Sequence, residues 1–140
     1  MKFDYYKFTE YTQKQNRVTN HARESILIMK DTDVYLHNII DRANEATIYC
    51  KGKSQEDFLK DGKTQSAVIL ELVVIGEEAE KLSKEVRREI NLPWRKIIGF
   101  SNVAVRKYFD VDLNQIWDTV QNDLPHLIQV IKSYLNGNVL

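Results

Sequence analysis

The sequence predicts an all-α protein, an up-and-down bundle of about five helices. Three observations carry this. Apolar residues recur in segment after segment at the i, i+3, i+4, i+7 spacing that gathers them on one helix face. Only five Gly and two Pro interrupt 140 residues. No stretch alternates apolar and polar residues long enough to make a half-buried strand.

The first well-marked helix occupies 33–50, where Leu36, Ile39, Ile40, Ala43 and Cys50 form one stripe. Asp31, Thr32 and Asp33 are its N-cap candidates, because a short side-chain oxygen there accepts from the first free amides. Gly52, in Lys51-Gly-Lys53, suits the left-handed residue that closes a helix. Ser54 and Asp57 have the spacing of a capping box and should start a short turn holding Phe58 and Leu59. A longer helix comes next, over roughly 64–84. Its stripe is Val68, Leu72, Ile75, Ala79 and Leu82, widened by Ile69 and Val73, so it should be the most buried. Gly76 weakens such a helix by about 1 kcal/mol relative to alanine; a close contact with a second helix would explain its presence.

Pro93, in Asn91-Leu-Pro-Trp94, opens the next helix in the first turn, where its missing N–H costs nothing. That helix carries Trp94, Ile97, Ile98, Val105, Tyr108 and Phe109. Asp112 caps the last helix, with Gln115 at the box position. Leu113, Ile116, Trp117, Val120, Leu124, Leu127, Ile128, Ile131 and Leu135 form its stripe. Pro125 falls inside that stripe and should kink or split the helix; Gly137 ends it. Trp94 and Trp117 read as core packing rather than as platforms for base stacking.

Residues 1–28 differ: rich in Tyr, Phe, Gln and Asn, with clustered apolar residues and no sustained stripe. They read as an N-terminal extension, either a functional arm or an incidental tail, before a domain at 29–140. Met29-Lys30-Asp31 resembles a second beginning.

Lys+Arg and Asp+Glu both number 20, so the chain is formally neutral. A global attraction to nucleic acid is excluded, though a local basic patch fits within a neutral total. The single cysteine, Cys50, excludes an internal disulfide and a cysteine-based zinc site. At helical spacing from Ala43 and Ala46 it reads as a small core residue. No metal or cofactor is expected. No run approaches the ~18 apolar residues of a membrane span, and the N-terminus lacks a signal-peptide apolar region. The expected compartment is the cytoplasm.

From Met29 to Leu135 the chain resembles the HepT-like toxins of the HEPN (higher eukaryotes and prokaryotes nucleotide-binding) superfamily. Phe58-Leu-Lys-Asp-Gly-Lys-Thr-Gln-Ser-Ala-Val68 is similar to the start of that family's second helix, and Ile75-Gly-Glu-Glu-Ala-Glu-Lys-Leu82 to its Ile-Gly-Glu-Ala-Ala segment. Leu92-Pro-Trp-Arg-Lys-Ile-Ile-Gly99 and Tyr108-Phe-Asp-Val-Asp-Leu113 bracket the family's active region, and Trp117-Asp-Thr-Val-Gln-Asn-Asp-Leu-Pro125 closes the likeness. The resemblance implies a HEPN helical bundle and a homodimer with two motif regions facing each other across a two-fold axis. It also implies a metal-independent endoribonuclease acting as a toxin, with RNA as substrate. Its partner would be a small nucleotidyltransferase antitoxin of the MntA kind, which silences it by transferring AMP to a motif tyrosine.

The family motif is Arg-x-x-x-x-His-x-Tyr. Carried over residue by residue, its arginine falls on Ser101, its histidine on Arg106 and its tyrosine on Tyr108; Asn102 matches the residue that often follows the arginine. Metal-free cleavage uses the RNA 2′-OH as nucleophile, which must lose a proton. Histidine can take it near neutral pH. An arginine guanidinium stays protonated and cannot. The family's arginine should steady the charged phosphorane, and the Ser101 hydroxyl is a weak substitute. His21, His37 and His126 lie far from the motif in sequence and read as surface or satisfied histidines. The chain is therefore expected not to cleave RNA. A noncatalytic helical binding module, or a pseudoenzyme partner of a nucleotidyltransferase, is the alternative. On the helical reading of this region, Tyr108 and position 101 share one helix face.

Overall fold

The structure, a computed structural model, describes residues 21–137, with side chains from 31 onward. Residues 1–20 of the expected extension lie outside the described ones. The chain divides into two units after Asp33. The described part of the first, from His21, is helical. The second, from Val34, holds the core and the candidate site.

Helix α1 is His21–Cys50, α2 Gln55–Leu59, α3 Gly62–Lys81, α4 Lys84–Glu89 and α5 Trp94–Arg106. A 3-10 turn, Tyr108–Asp110, leads to α6, Leu113–Asp118; a π turn, Thr119–Asp123, joins it to α7, Leu124–Leu135. With the α6–π–α7 run counted as one helix, the described residues hold six helices and no strand. The expected all-α bundle is what forms.

Most elements obey the local rules that predicted them. The Ser54 hydroxyl accepts from the Asp57 amide, and the Ser54 amide donates to the Asp57 carboxylate, both at 3.1 Å. That capping box places Phe58 in the core with no exposure. Gly52 has φ +77°, so the chain leaves α1 through a left-handed residue that a side chain would strain. Asp112 accepts from the Asn114 and Gln115 amides at the start of α6. Pro125 lacks an N–H, and in a regular α-helix its ring would press on the carbonyl four residues back. The π turn that precedes it loosens the winding there and splits the last helix.

Two expectations need correction. Asp31, Thr32 and Asp33 cap nothing, since they lie inside α1. No Gly or Pro occurs between His21 and Cys50, and nothing else in those residues stops a helix. The helix expected to reach 84 ends at Lys81, and α4 comes after it as a separate short helix. Ser83 makes that break: its hydroxyl accepts from the Val86 amide at 3.2 Å, capping a new helix that starts at Lys84.

The core draws on every helix but the short α4. Leu36, Ile39, Phe58, Val68, Ile116 and Ile131 are essentially without solvent contact. Fully burying each such side chain stabilises the fold by roughly 1.5–3 kcal/mol. Cys50 is buried among them, as expected of a small core residue, and burial raises its thiol pKa. Two buried carboxylates on α3 hold α1 in place. Arg42 lies 3.1 Å from Glu71, and Asn38 donates to Glu78 at 3.2 Å. Lys81 completes the second group, donating to Glu78 at 2.8 Å.

Asp61 caps α3. It accepts from the Thr64 hydroxyl at 2.6 Å and amide at 3.1 Å and from Lys53 at 3.1 Å. These bonds, the Thr64 ones foremost, hold its carboxyl well below the usual carboxylate range. The folded state therefore binds its proton less readily than the unfolded chain does. The stabilisation is complete above the unfolded value, near ~3.9, and is lost as pH falls through the folded one. Asp61→Asn should unfold at lower temperature than the parent at neutral pH, and the gap should close in strong acid. Thermal melts across pH check this; a constant gap would show that the charge contributes nothing.

Candidate active site

The candidate site is built on α5. Its start is fixed by Trp94, buried, whose indole N–H donates to the Ile90 carbonyl at 3.0 Å. The helix then lies along α3 at very short range. A Cβ at Gly76 would overlap the Ser101 Cβ and come within 3.0 Å of the Ile97 carbonyl. Glycine at 76 permits that approach, which accounts for its place inside an apolar helix.

The face of α5 turned toward α3 is not the one the apolar pattern suggested. Trp94, Ser101 and Ala104 are buried, at the spacing of one stripe. Val105 and Phe109, expected on that stripe, are 66% and 97% exposed. The small residues Ser101 and Ala104 mark the inward face because only they fit so close a crossing.

The four positions expected to carry the motif therefore meet different surroundings. Ser101 is 4% exposed, and its hydroxyl donates to the Val73 carbonyl at 3.0 Å. It is committed to the α3–α5 contact. Asn102, the next residue round the helix, is exposed and lines a cleft with Lys84, Arg87, Arg88 and Arg95. Arg106 is the last residue of α5 and is exposed; a cation there complements the helix C-terminus.

Tyr108 lies beyond the helix, which corrects the expectation that it shares a face with position 101. Lys107 leaves helical geometry at φ −134°, ψ 55°, and Tyr108 begins the 3-10 turn. Its ring packs edge-on against Phe109 at 5.6 Å, and its hydroxyl lies 2.5 Å from the Ser66 hydroxyl of α3. Tyr108 as a whole is 41% exposed.

Proton-accepting groups are sparse around these positions. His37 and His126 are exposed, with no partner among the described residues; His126 lines a groove of about 480 Å³ beneath Phe100 and Val103. The His21 side chain lies outside the described residues. The site as built presents an exposed guanidinium at Arg106 and the Tyr108 hydroxyl, and neither Ser101 nor Arg106 is a proton acceptor near neutral pH.

Sequence reasoning missed two features. Ser66 stands 42 residues from Tyr108, and no local signal links them. The cations of the cleft flank the Asn91-Leu-Pro-Trp94 turn on both sides, and that bracketing was visible in the sequence.

The ribonuclease HepT-like family model matches residues 37–134. Three relatives illustrate the similarity. A protein of Methanocaldococcus jannaschii named "gamma-glutamylcyclotransferase and putative RNase" is 35% identical over 103 residues. That match covers 73% of this chain and 46% of the relative, so the chain spans about half of that protein's length. A "putative RNase" of Caldanaerobacter subterraneus subsp. tengcongensis is 33% identical over 108 residues, covering 76% of this chain and 96% of the relative. A "probable ribonuclease HepT" of Thermococcus cleftensis is 34% identical over 94 residues, covering 66% and 86%. No solved structure matches.

Proposed function

We propose, from the premise that this chain belongs to the ribonuclease HepT-like family of the HEPN superfamily, that it is the toxin-type subunit of a toxin–antitoxin pair and does not itself cleave RNA. One observation carries the second half of that reading. The position of the family's arginine is Ser101, buried and bonded to Val73, while the position of its histidine is Arg106. One group cannot reach a phosphorane and the other cannot accept a proton. Asn102 and Arg106 remain able to contact RNA.

In this reading the chain is a cytoplasmic homodimer, residues 1–28 are an extension appended to the 29–140 domain, and the partner is an MntA-like nucleotidyltransferase. The Tyr108 oxygen attacks the α-phosphorus of ATP, pyrophosphate leaves, and an adenylyl group stays on the ring. Tyr108 is 41% exposed and, among the described residues, its hydroxyl bonds to Ser66, which suits that attack. The noncatalytic binding module stays as a second reading because a binder needs no proton acceptor.

Incubation with the nucleotidyltransferase and ATP tests the assignment. Intact-mass measurement should show one added AMP, absent from Tyr108→Phe. Addition at Tyr134, whose hydroxyl donates to Glu89, would show that the motif tyrosine is misassigned.

A further inference from the structure

Helices α4 and α5 flank a shallow, open surface cleft of about 600 Å³. Lys84, Arg87 and Arg88 line it from α4, and Arg95 and Asn102 from α5. Four cations thus crowd one cleft of a chain whose net charge is zero. Among the described residues none of the four has an ion-pair or hydrogen-bond partner, in contrast to Arg42, Lys53, Lys60 and Lys81, each paired with a carboxylate. The acids nearest in sequence do not relieve this: neither Glu85 nor Glu89 lines the cleft, and Glu89 accepts from Tyr134. The Arg87 Nε is buried and has no hydrogen-bond acceptor.

The cleft also runs toward the motif. Positions 95, 99, 102 and 106 succeed one another on one face of α5. At 1.5 Å of rise per residue, Arg95 and Arg106 stand about 16 Å apart along the axis, room for a few nucleotides. Within the cleft the one aromatic is Trp94, buried and with its N–H already used, so the guanidinium groups there suit phosphates rather than bases; an exposed aromatic, Phe109, comes only beyond the motif end.

We propose that this cleft binds the phosphodiester backbone of single-stranded RNA and leads it along α5 to the motif end. The proposal rests on the RNase-family reading and adds the path by which the strand is held. Binding there is independent of base sequence and persists although cleavage is lost.

The test is fluorescence anisotropy of a labelled oligouridylate with the full chain across a salt series. Arg87→Gln/Arg95→Gln should weaken binding about tenfold or more at low salt. Each lost single-strand contact should lower the salt slope by about 0.7, hence about 1.4 for the pair. Arg88→Gln/Arg95→Gln, at two exposed positions, repeats the test without touching a half-buried side chain. Lys51→Gln/Lys60→Gln removes the same charge elsewhere and should leave affinity within about twofold. Equal loss in that control, or unchanged affinity in folded cleft variants, overturns the proposal. It is also overturned if the cleft variants bind RNA normally and instead lose self-association or the nucleotidyltransferase. Failure of the cleft alone is recognised when the Ser101→Arg/Arg106→His chain cleaves RNA with a KM that the cleft changes do not move. If no version of the chain binds or cleaves RNA, the family reading of its substrate falls as well.

Discussion

Ser101→Arg/Arg106→His should turn RNA cleavage on in this chain, without added metal and insensitive to EDTA, and should arrest the growth of cells that express it. The histidine returns a group able to take the 2′-OH proton, worth about 10²–10⁴-fold in rate. The arginine returns a stabiliser of the phosphorane, worth about 10²–10³-fold by analogy with an oxyanion donor. The two need not multiply, because groups acting as a unit are non-additive. Arg106→His alone should restore little, and Ser101→Arg alone less. The structure adds a cost. Position 101 is almost wholly buried against α3, so an arginine there gives up the bond to Val73 and must thread its guanidinium outward. The double variant should therefore melt below the parent, with Arg106→His, at an exposed site, contributing little of the loss. Circular dichroism establishes folding before activity is read. Parent cleavage equal to the variant's would show that the catalytic positions are misassigned. A folded but inactive variant would favour the noncatalytic module.

Gly76→Ala should destabilise the fold by about 1–3 kcal/mol, although alanine is the better helix former by about 1 kcal/mol. Sterics decide the sign. The added methyl meets the Ser101 Cβ and the Ile97 carbonyl, one fixed directly to backbone and the other part of it, so no flexible side-chain end can swing aside. Helices α3 and α5 must separate, loosening Trp94 and Ala104 against the core. In a domain of this size the thermal midpoint should fall by roughly 2–4 °C per kcal/mol. Ser101→Gly removes the opposing Cβ and should recover much of the loss in a double-mutant cycle. An unchanged midpoint for Gly76→Ala, or additive effects in the cycle, would show that this crossing is not under steric control.

Much of the fold was legible because its determinants are local. The stripes of α1, α3 and the α6–π–α7 run repeat every three or four residues and turn inward as expected. The Ser54–Asp57 box, the Asp112 cap, the Gly52 exit and the break before Pro125 involve residues within about one helical turn. Gly76 announced a close crossing because glycine inside an apolar helix needs a reason. Competition between local signals was harder to judge. Three cap-forming residues at 31–33 were outweighed by the absence of any breaker around them. One serine at 83 sufficed to start α4, because it comes after the end of a helix rather than interrupting one.

The sequence by itself determined which chemistry is present: a serine at 101, an arginine at 106 and a tyrosine at 108, which the resemblance sets against the family's arginine, histidine and tyrosine. Those identities decide whether a proton can be accepted, wherever the side chains point. Only the tertiary structure decided their surroundings. Ser101 packs inward against Gly76, 25 positions away, whose missing side chain leaves space for it. Tyr108 left the helix and met Ser66, and four cations from two helices came to line one cleft with no carboxylate between them. Such pairings arise from how closely two helices can pack, a property of both surfaces together, which neither segment's own pattern of residues contains.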